Sequence, residues 1–399
     1  MSAKKMAAIL SVGVAISTIA PAVAGEATGR SDKAPKVEIF GRVMYDYAYA
    51  DGKNTPFSVS EPELRNARIG SKITLPNRGK LKVELHTDDS GDVILTDAYA
   101  EMNTGFDIAK LRIGQFKTPN SLDEQTSSRF ISVHERAAFS DAFELNRRVG
   151  VALTGKTDQH TYMLGVFGQN IDDDATFGGY AVAGRATYSP NLGIDDLKLH
   201  TGASFRFRDT DADQSDLRYR QRPVTHIPGR IISTGRIADS DLFAGVEAAL
   251  VKGPFWTAGE FAVTFADCSS CSEDPSFSGG YIEAGFILNG EKTLKGGKFD
   301  RPKLDEGRFG AASFVMRYDT LDLNGTAVEG GSYQAFILGA DWQPKKYLRL
   351  GVNGFIANAD LGDVTSGLGQ EFADAVTTGL AEETVKGVTL RAQFDFRSN

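Results

Sequence analysis

The chain has 399 residues, of which 41% are hydrophobic, 24% are charged and 43 are glycine, and its net charge is −8. That is little apolar material for a soluble protein of this length to fill a large two-layer core. The acidic balance, with no glycine-rich phosphate loop, basic helix or aromatic-basic patch in the sequence, gives no support to a nucleic-acid partner.

At the N-terminus Lys4 and Lys5 precede an apolar run from Ala7 to Ala20, and Pro21 leads into the small-residue pattern Ala22-Val23-Ala24. Residues 1–24 are expected to be a secretory signal peptide and 25–35 a short periplasmic arm. After them the sequence contains no run of about 18 apolar residues, so no helical membrane span is predicted.

From residue 36 the pattern changes. In KVEIFGRVMYDYAYA, residues 36–50, Val37, Ile39, Val43, Tyr45, Tyr47 and Tyr49 share one parity, and Glu38, Arg42 and Asp46 share the other. This is the period of a strand whose two faces meet different surroundings. With no second sheet to cover it, the apolar face is expected to meet outer-membrane lipid and the polar face water.

The same grammar continues along the chain. Ala67, Ile69, Ile73 and Leu75 alternate with Asn66, Arg68, Lys72 and Thr74, then NRGK (77–80) turns into Leu81, Val83 and Leu85 against Lys82, Glu84 and His86. Similar segments lie at 93–103, 109–116, 147–156, 160–168, 179–188, 197–208, 241–252, 255–266, 279–290, 310–320, 332–343, 347–358 and 385–396. Residues 36–399 are therefore expected to form an all-β transmembrane β-barrel of about 16 antiparallel strands in the bacterial outer membrane, enclosing water. Val43, Tyr45, Leu390 and Phe394 should face lipid, and Thr389 should face inward and tolerate a charge.

Short connections such as NRGK, VKGP (251–254) and QPKK (343–346) are assigned to the periplasmic side, and the long segments 117–146, 209–238 and 360–384 are assigned outside or folded inward. Residues 289–310 fall on the periplasmic side despite their length, which leaves the strand register there open. Cys268 and Cys271 lie in an outer connection, where an oxidising compartment favours a local disulfide over a metal site lacking further ligands. No cofactor is expected, and no local Ser–His arrangement suggests a hydrolase.

Three segments carry a resemblance: LRIGQFKTPNSLDEQTSSRFISVHERAAF (111–139), DLRYRQRPVTHIPGRIISTG (216–235) and FSGGYIEAGFILNGE (277–291). Each resembles a signature region of the phosphate-selective porins O and P, in the same order and spacing. The resemblance implies a sixteen-stranded homotrimer whose third loop folds into the lumen and whose pore carries small anions such as inorganic phosphate or polyphosphate. It also places Lys117, Ser121 and Arg129 where that family binds its anion.

The residues themselves fit such a path. Ser127 and Ser128 would add hydroxyl donors beside Arg129, and an ammonium, hydroxyls and a guanidinium can replace part of an anion's hydration shell. Asp97, Glu101 and Glu135 are candidates to hold these cations in place. In RYRQRP, Arg218, Arg220 and Arg222 recur with period two, so an extended segment points all three the same way. Arg206 and Arg208 have lumen parity and could extend the row into an anion ladder. The alternative is a solvated loop neutralised by Asp211, Asp213 and Asp216. At the level of function, an anion porin stands against a general diffusion porin of weak selectivity and, more remotely, a barrel enzyme. Total charge does not decide between them, because permeation responds to the field inside the pore.

Overall fold

The computed structural model describes residues 34–76, 79–87, 91–106, 108–171, 179–210, 217–305, 307 and 309–398. The signal segment, nearly all of the arm, the first two residues of NRGK, and Asp211, Asp213 and Asp216 lie outside the described residues.

Nine antiparallel strands come first: β1 (Lys36–Gly52), β2 (Ser58–Leu75), β3 (Gly79–Thr87), β4 (Val93–Asn103), β5 (Lys110–Lys117), β6 (Arg147–Lys156), β7 (His160–Phe167), β8 (Tyr180–Tyr188) and β9 (Leu197–Asp209). A separate hairpin of β10 (Leu217–Gln221) and β11 (Ile232–Ala238) follows, then β12 (Ser240–Lys252), β13 (Phe255–Asp267) and β14 (Ser276–Leu288). A second hairpin, β15 (Gly290–Leu294) and β16 (Phe299–Leu304), precedes β17 (Ala311–Gly325), β18 (Val328–Lys345), β19 (Leu348–Asp360) and β20 (Glu382–Arg397). All but the four hairpin strands form one closed barrel, sealed where β20 pairs with β1 and Phe396 opposes Gly41. The barrel has 16 strands, and they coincide with the alternating segments of the sequence.

Parity assigns the faces as expected. Val43, Tyr45, Leu390 and Phe394 are 46%, 52%, 49% and 46% exposed on the outer surface, while Thr389 is 5% exposed. Thr389 does not face open water: its hydroxyl is 2.7 Å from Nδ1 of His134 in the third loop. A charge at position 389 would therefore meet packed side chains, contrary to the tolerance expected from parity alone.

The lumen is also less open than the alternation implies. The third loop, between β5 and β6, carries the helical turns α1 (Leu122–Gln125) and α2 (Ala138–Ala142). Phe139 and Phe143 of this loop join Tyr219, Ile231 and Ile232 of the fifth loop in an apolar core, built against Phe243, Phe277, Leu321 and Tyr333 of the barrel wall. The eighth loop adds α3 (Gln370–Thr377), whose Phe372 packs on Phe57 with ring centroids 5.2 Å apart. Where this loop crosses the fifth, Gly369 donates its N–H to the Arg230 carbonyl, and a Cβ on Gly229 would come within 2.5 Å of Gly369 Cα.

Residues 289–310 resolve the open register. They form the β15–β16 hairpin, which folds up into the barrel from the short-turn end and docks beneath the third loop. Lys292 donates to the Phe130 carbonyl at 3.2 Å and to Ser132 Oγ at 2.8 Å, and the N–H of Phe299 donates to Thr126 Oγ1 at 3.3 Å. Cys268 and Cys271 form a disulfide.

Candidate functional site

The third loop is held by carboxylates of the barrel wall. Glu260 on β13 accepts the N–H groups of Leu122 and Asp123 at 2.8 and 2.6 Å, and Asp319 on β17 accepts that of Ala138 at 3.2 and 3.1 Å. These are helix-start donors without intrahelical partners. Arg317 ties Asp123 (3.3 Å) to Glu283 (2.8 Å) behind the same turn. Ser121, at φ 62 in the left-handed region, starts α1, and its hydroxyl accepts the Glu124 N–H at 3.1 Å.

This anchoring fixes the loop's other face against β1–β6. Lys117, the last residue of β5, opposes Arg147 in the ladder and lies 3.0 Å from Glu124. Glu124 also meets Arg136 at 2.8 Å, and Arg147 meets Asp97 at 2.7 Å. Ser127 Oγ accepts from Arg42 and from Arg129, each at 3.3 Å. Arg129 lies over the Phe130 ring and has no carboxylate within ion-pair distance among the described residues. Burial lowers its pKa, against the pull of Asp395 and with the repulsion of Arg301.

The carboxylates expected to brace Lys117 and Arg129 serve other cations. Asp97 holds Lys82 and Arg147, Glu101 holds Lys80 and Arg112, and Glu135 holds Arg65 and Arg391. Burial alone would raise the Glu135 carboxyl, but Arg65 and Arg391 keep it well below the usual carboxylate range.

Two cavities lie on either side of the loop. One, of about 350 Å³, is reached from the long-loop end and is lined by Glu124, Ser128, Arg136, Arg220, Arg222 and Arg391 among others. The other, of about 480 Å³, opens toward the short turns and is lined by Lys80, Lys110, Arg112, Gln125, Arg185 and Lys298 among others. Consecutive residues Glu124 and Gln125 thus face different chambers.

Arg218 and Arg220 of β10 and Arg222 just beyond it are half-buried and alternate with the buried Tyr219 and Gln221, and Arg220 and Arg222 line the long-loop chamber. Burial and the nearby Arg230 and Arg218 push the Arg220 guanidinium down to about 10, as befits clustered cations without a close counter-charge. Arg206 and Arg208 are placed differently. Both are fully buried against Asp241, with Arg206 donating to the carbonyls of Phe143 and Glu144 and Arg208 meeting Glu144 at 2.9 Å. They anchor the end of the third loop, apart from the half-buried row of Arg218, Arg220 and Arg222.

Sequence reading singled out neither Glu124 nor Arg136 nor Arg147. Arg147 was hidden because it sits at a strand end, where parity no longer gives direction. Glu124 and Arg136 stood inside the third loop as ordinary charges, with no periodicity to rank them.

The chain is 35% identical over 312 residues to an uncharacterized protein of Caulobacter vibrioides, which covers 73% of this chain and 62% of that protein. It is 24% identical over 398 residues to Porin O of Pseudomonas aeruginosa, covering 92% of this chain and 90% of that protein. Among solved structures, an anion-selective porin from Comamonas acidovorans shares the fold at a TM-score of 0.56 and 12% identity, covering 91% of this chain and all of that one. The family model of the phosphate-selective porins O and P matches residues 37–396, the whole barrel, so this chain is an outer-membrane porin of that family.

Proposed function

We propose that the pore is anion-selective, that its preferred permeants are phosphate-like oxyanions, and that it works as a homotrimer. The observation that carries the selectivity is a cation surplus between the third loop and the wall of β1–β6. Arg42, Arg68, Lys82, Lys117, Arg129, Arg136 and Arg147 cluster there, against Glu84, Asp97, Asp123 and Glu124. In a narrow, partly dehydrated passage such a surplus acts through a lower effective dielectric than in water, so it outweighs the acidic total. An entering anion meets Arg218, Arg220 and Arg222 first, then Arg136, Ser128 and Lys117, with Arg129 and Ser127 alongside. The anion selectivity of the Comamonas porin and the membership of the phosphate-selective porin family support the anion reading, and the trimer rests on the family resemblance.

Reversal potential across a planar bilayer in a salt gradient tests the sign, and inorganic phosphate added to chloride tests the site. Lys117→Gln and Arg129→Gln should each weaken phosphate block at least about tenfold, equivalent to roughly 1.4 kcal/mol, while chloride conductance is kept or raised. A reversal potential of cationic sign, or equal block in all three proteins, would leave a general diffusion porin instead. Chemical cross-linking in detergent tests the trimer, which a monomer band alone would refute.

A further inference from the structure

We propose that Glu124 is a tethered counter-anion: its carboxylate occupies the oxyanion position between Lys117 and Arg136, and a permeating anion must exchange with it. This rests on the anion reading above. One carboxylate oxygen is 3.0 Å from Lys117 Nζ and the other is 2.8 Å from Arg136 Nε. Two oxygens of one group bridging an ammonium and a guanidinium is the arrangement that a phosphate or a free carboxylate would itself adopt. Glu124 and Arg136 line the long-loop chamber whereas Lys117 does not, so an anion coming from that side meets Glu124 before it can reach Lys117.

Neither cation needs this carboxylate to stay in place. Lys117 Nζ also donates to the backbone carbonyl of Glu124, and Arg136 donates to the carbonyls of Asp123 and of Thr126, the latter at 2.9 Å. The turn is fixed independently by Glu260 and by the Ser121 hydroxyl. The carboxylate is therefore redundant as a brace, yet its single charge is shared between the two cations that a permeant would use, one of which, Arg136, also lies 3.7 Å from Asp123. As a permanent resident of the site it makes the well shallow. A permeant able to make two charge-assisted bonds at once can replace it, while a monatomic anion exchanges at a disadvantage. Release is fast because the tethered group returns.

The test compares the concentration of inorganic phosphate that half-blocks chloride current in bilayers holding the intact barrel. Glu124→Gln keeps the shape of the side chain and should lower that concentration by about tenfold or more, since a competitor at contact distance has been removed. In Glu124→Ala, added acetate should fill the vacated position and weaken phosphate block back toward wild type, with little effect on wild type itself. Glu124→Asp keeps the charge but shortens the reach, and should be blocked more tightly than wild type and less tightly than the Gln variant; if the neutral variants fail to fold, it carries the test. Should wild type be blocked by phosphate while the Gln or Asp variant is blocked equally or more weakly, Glu124 is only a brace and the inference falls. A wild type that phosphate does not block and that prefers cations would instead bring down the anion reading, and this inference with it.

Discussion

The two halves of the barrel wall turn different inner faces to the lumen. From β12 to β19 the wall offers Phe243, Phe277, Tyr281, Leu321, Tyr333 and Phe355, with Glu260 and Asp319 set among them to receive backbone N–H groups and only Arg317 and Arg349 as cations, each on a carboxylate. From β20 through β6 it offers Arg391, Arg42, Arg68, Lys82, Arg112 and Arg147, each on a carboxylate. One half is a seat for inserted chain, and the other is a charged surface left facing that chain. Apolar burial on the first is what keeps the inserted loops pressed to that side.

The largest effect should come from weakening the seat. Phe139→Ala removes a buried ring beside Phe143 and Tyr281, at a cost of about 3–5 kcal/mol by analogy with other core Phe deletions. Since the loss falls on loop docking, single-channel conductance should rise and selectivity fall while the barrel still resists unfolding. An unchanged conductance would mean that the carboxylate clamps hold the loop without the apolar seat.

The outer surface should not distinguish the halves. Leu390→Arg on β20 and Phe261→Arg on β13 should each cost roughly 2–4 kcal/mol if near the bilayer midplane, measured by refolding into lipid vesicles. Thr389→Val, which loses only the contact with His134, should cost about 1 kcal/mol. Unequal costs at 390 and 261 would show that one half is covered by something other than lipid.

On the charged side, replacing Arg218, Arg220 and Arg222 together by Gln should lower anion conductance most at low salt, because exposed charge is screened beyond about 8 Å at physiological ionic strength. Folding should be unaffected, since none of the three makes an ion pair among the described residues. Wild-type anion preference in this variant would return the row to the status of a solvated loop.

The smallest effect concerns Lys292, where the inner hairpin meets the seat. Its ammonium lies over Trp256 and Phe299 at 4.8 and 4.9 Å and is pushed down by burial to about 8, against the pull of Glu283 and with the repulsion of Arg349. Between that value and the ordinary 10.5 the unfolded chain holds a proton that the folded chain has released. The Lys292 contribution to stability should therefore rise with pH across this window. The urea midpoint followed from pH 8 to 10 should gain less, or lose more, in Lys292→Met than in wild type.

The wall was legible in the sequence because a strand between two solvents writes its faces into every second residue. All sixteen barrel strands, and the lipid-facing Val43, Tyr45, Leu390 and Phe394, follow from that one rule. The inserted chain obeys no such period. Whether residues 289–310 hang below the barrel or fold into it depends on Phe130, Ser132 and Thr126, residues more than a hundred positions away. Lumen parity could not tell a cation facing water from one facing a loop, so Arg206 and Arg208 read as a continuation of the arginine row while their partners, Asp241 and the carbonyls of Phe143 and Glu144, lay in other segments. Lys117, Ser121 and Arg129 were singled out by resemblance, and only the folded geometry put Glu124 between Lys117 and Arg136.

The clamps on the third loop also reach far along the chain. Leu122 is held by Glu260, 138 residues later, and the carbonyl of His134 by Arg391, 257 residues later on the strand that closes the barrel. The full set of clamps on the third loop therefore exists only in the closed barrel, where β20 pairs with β1.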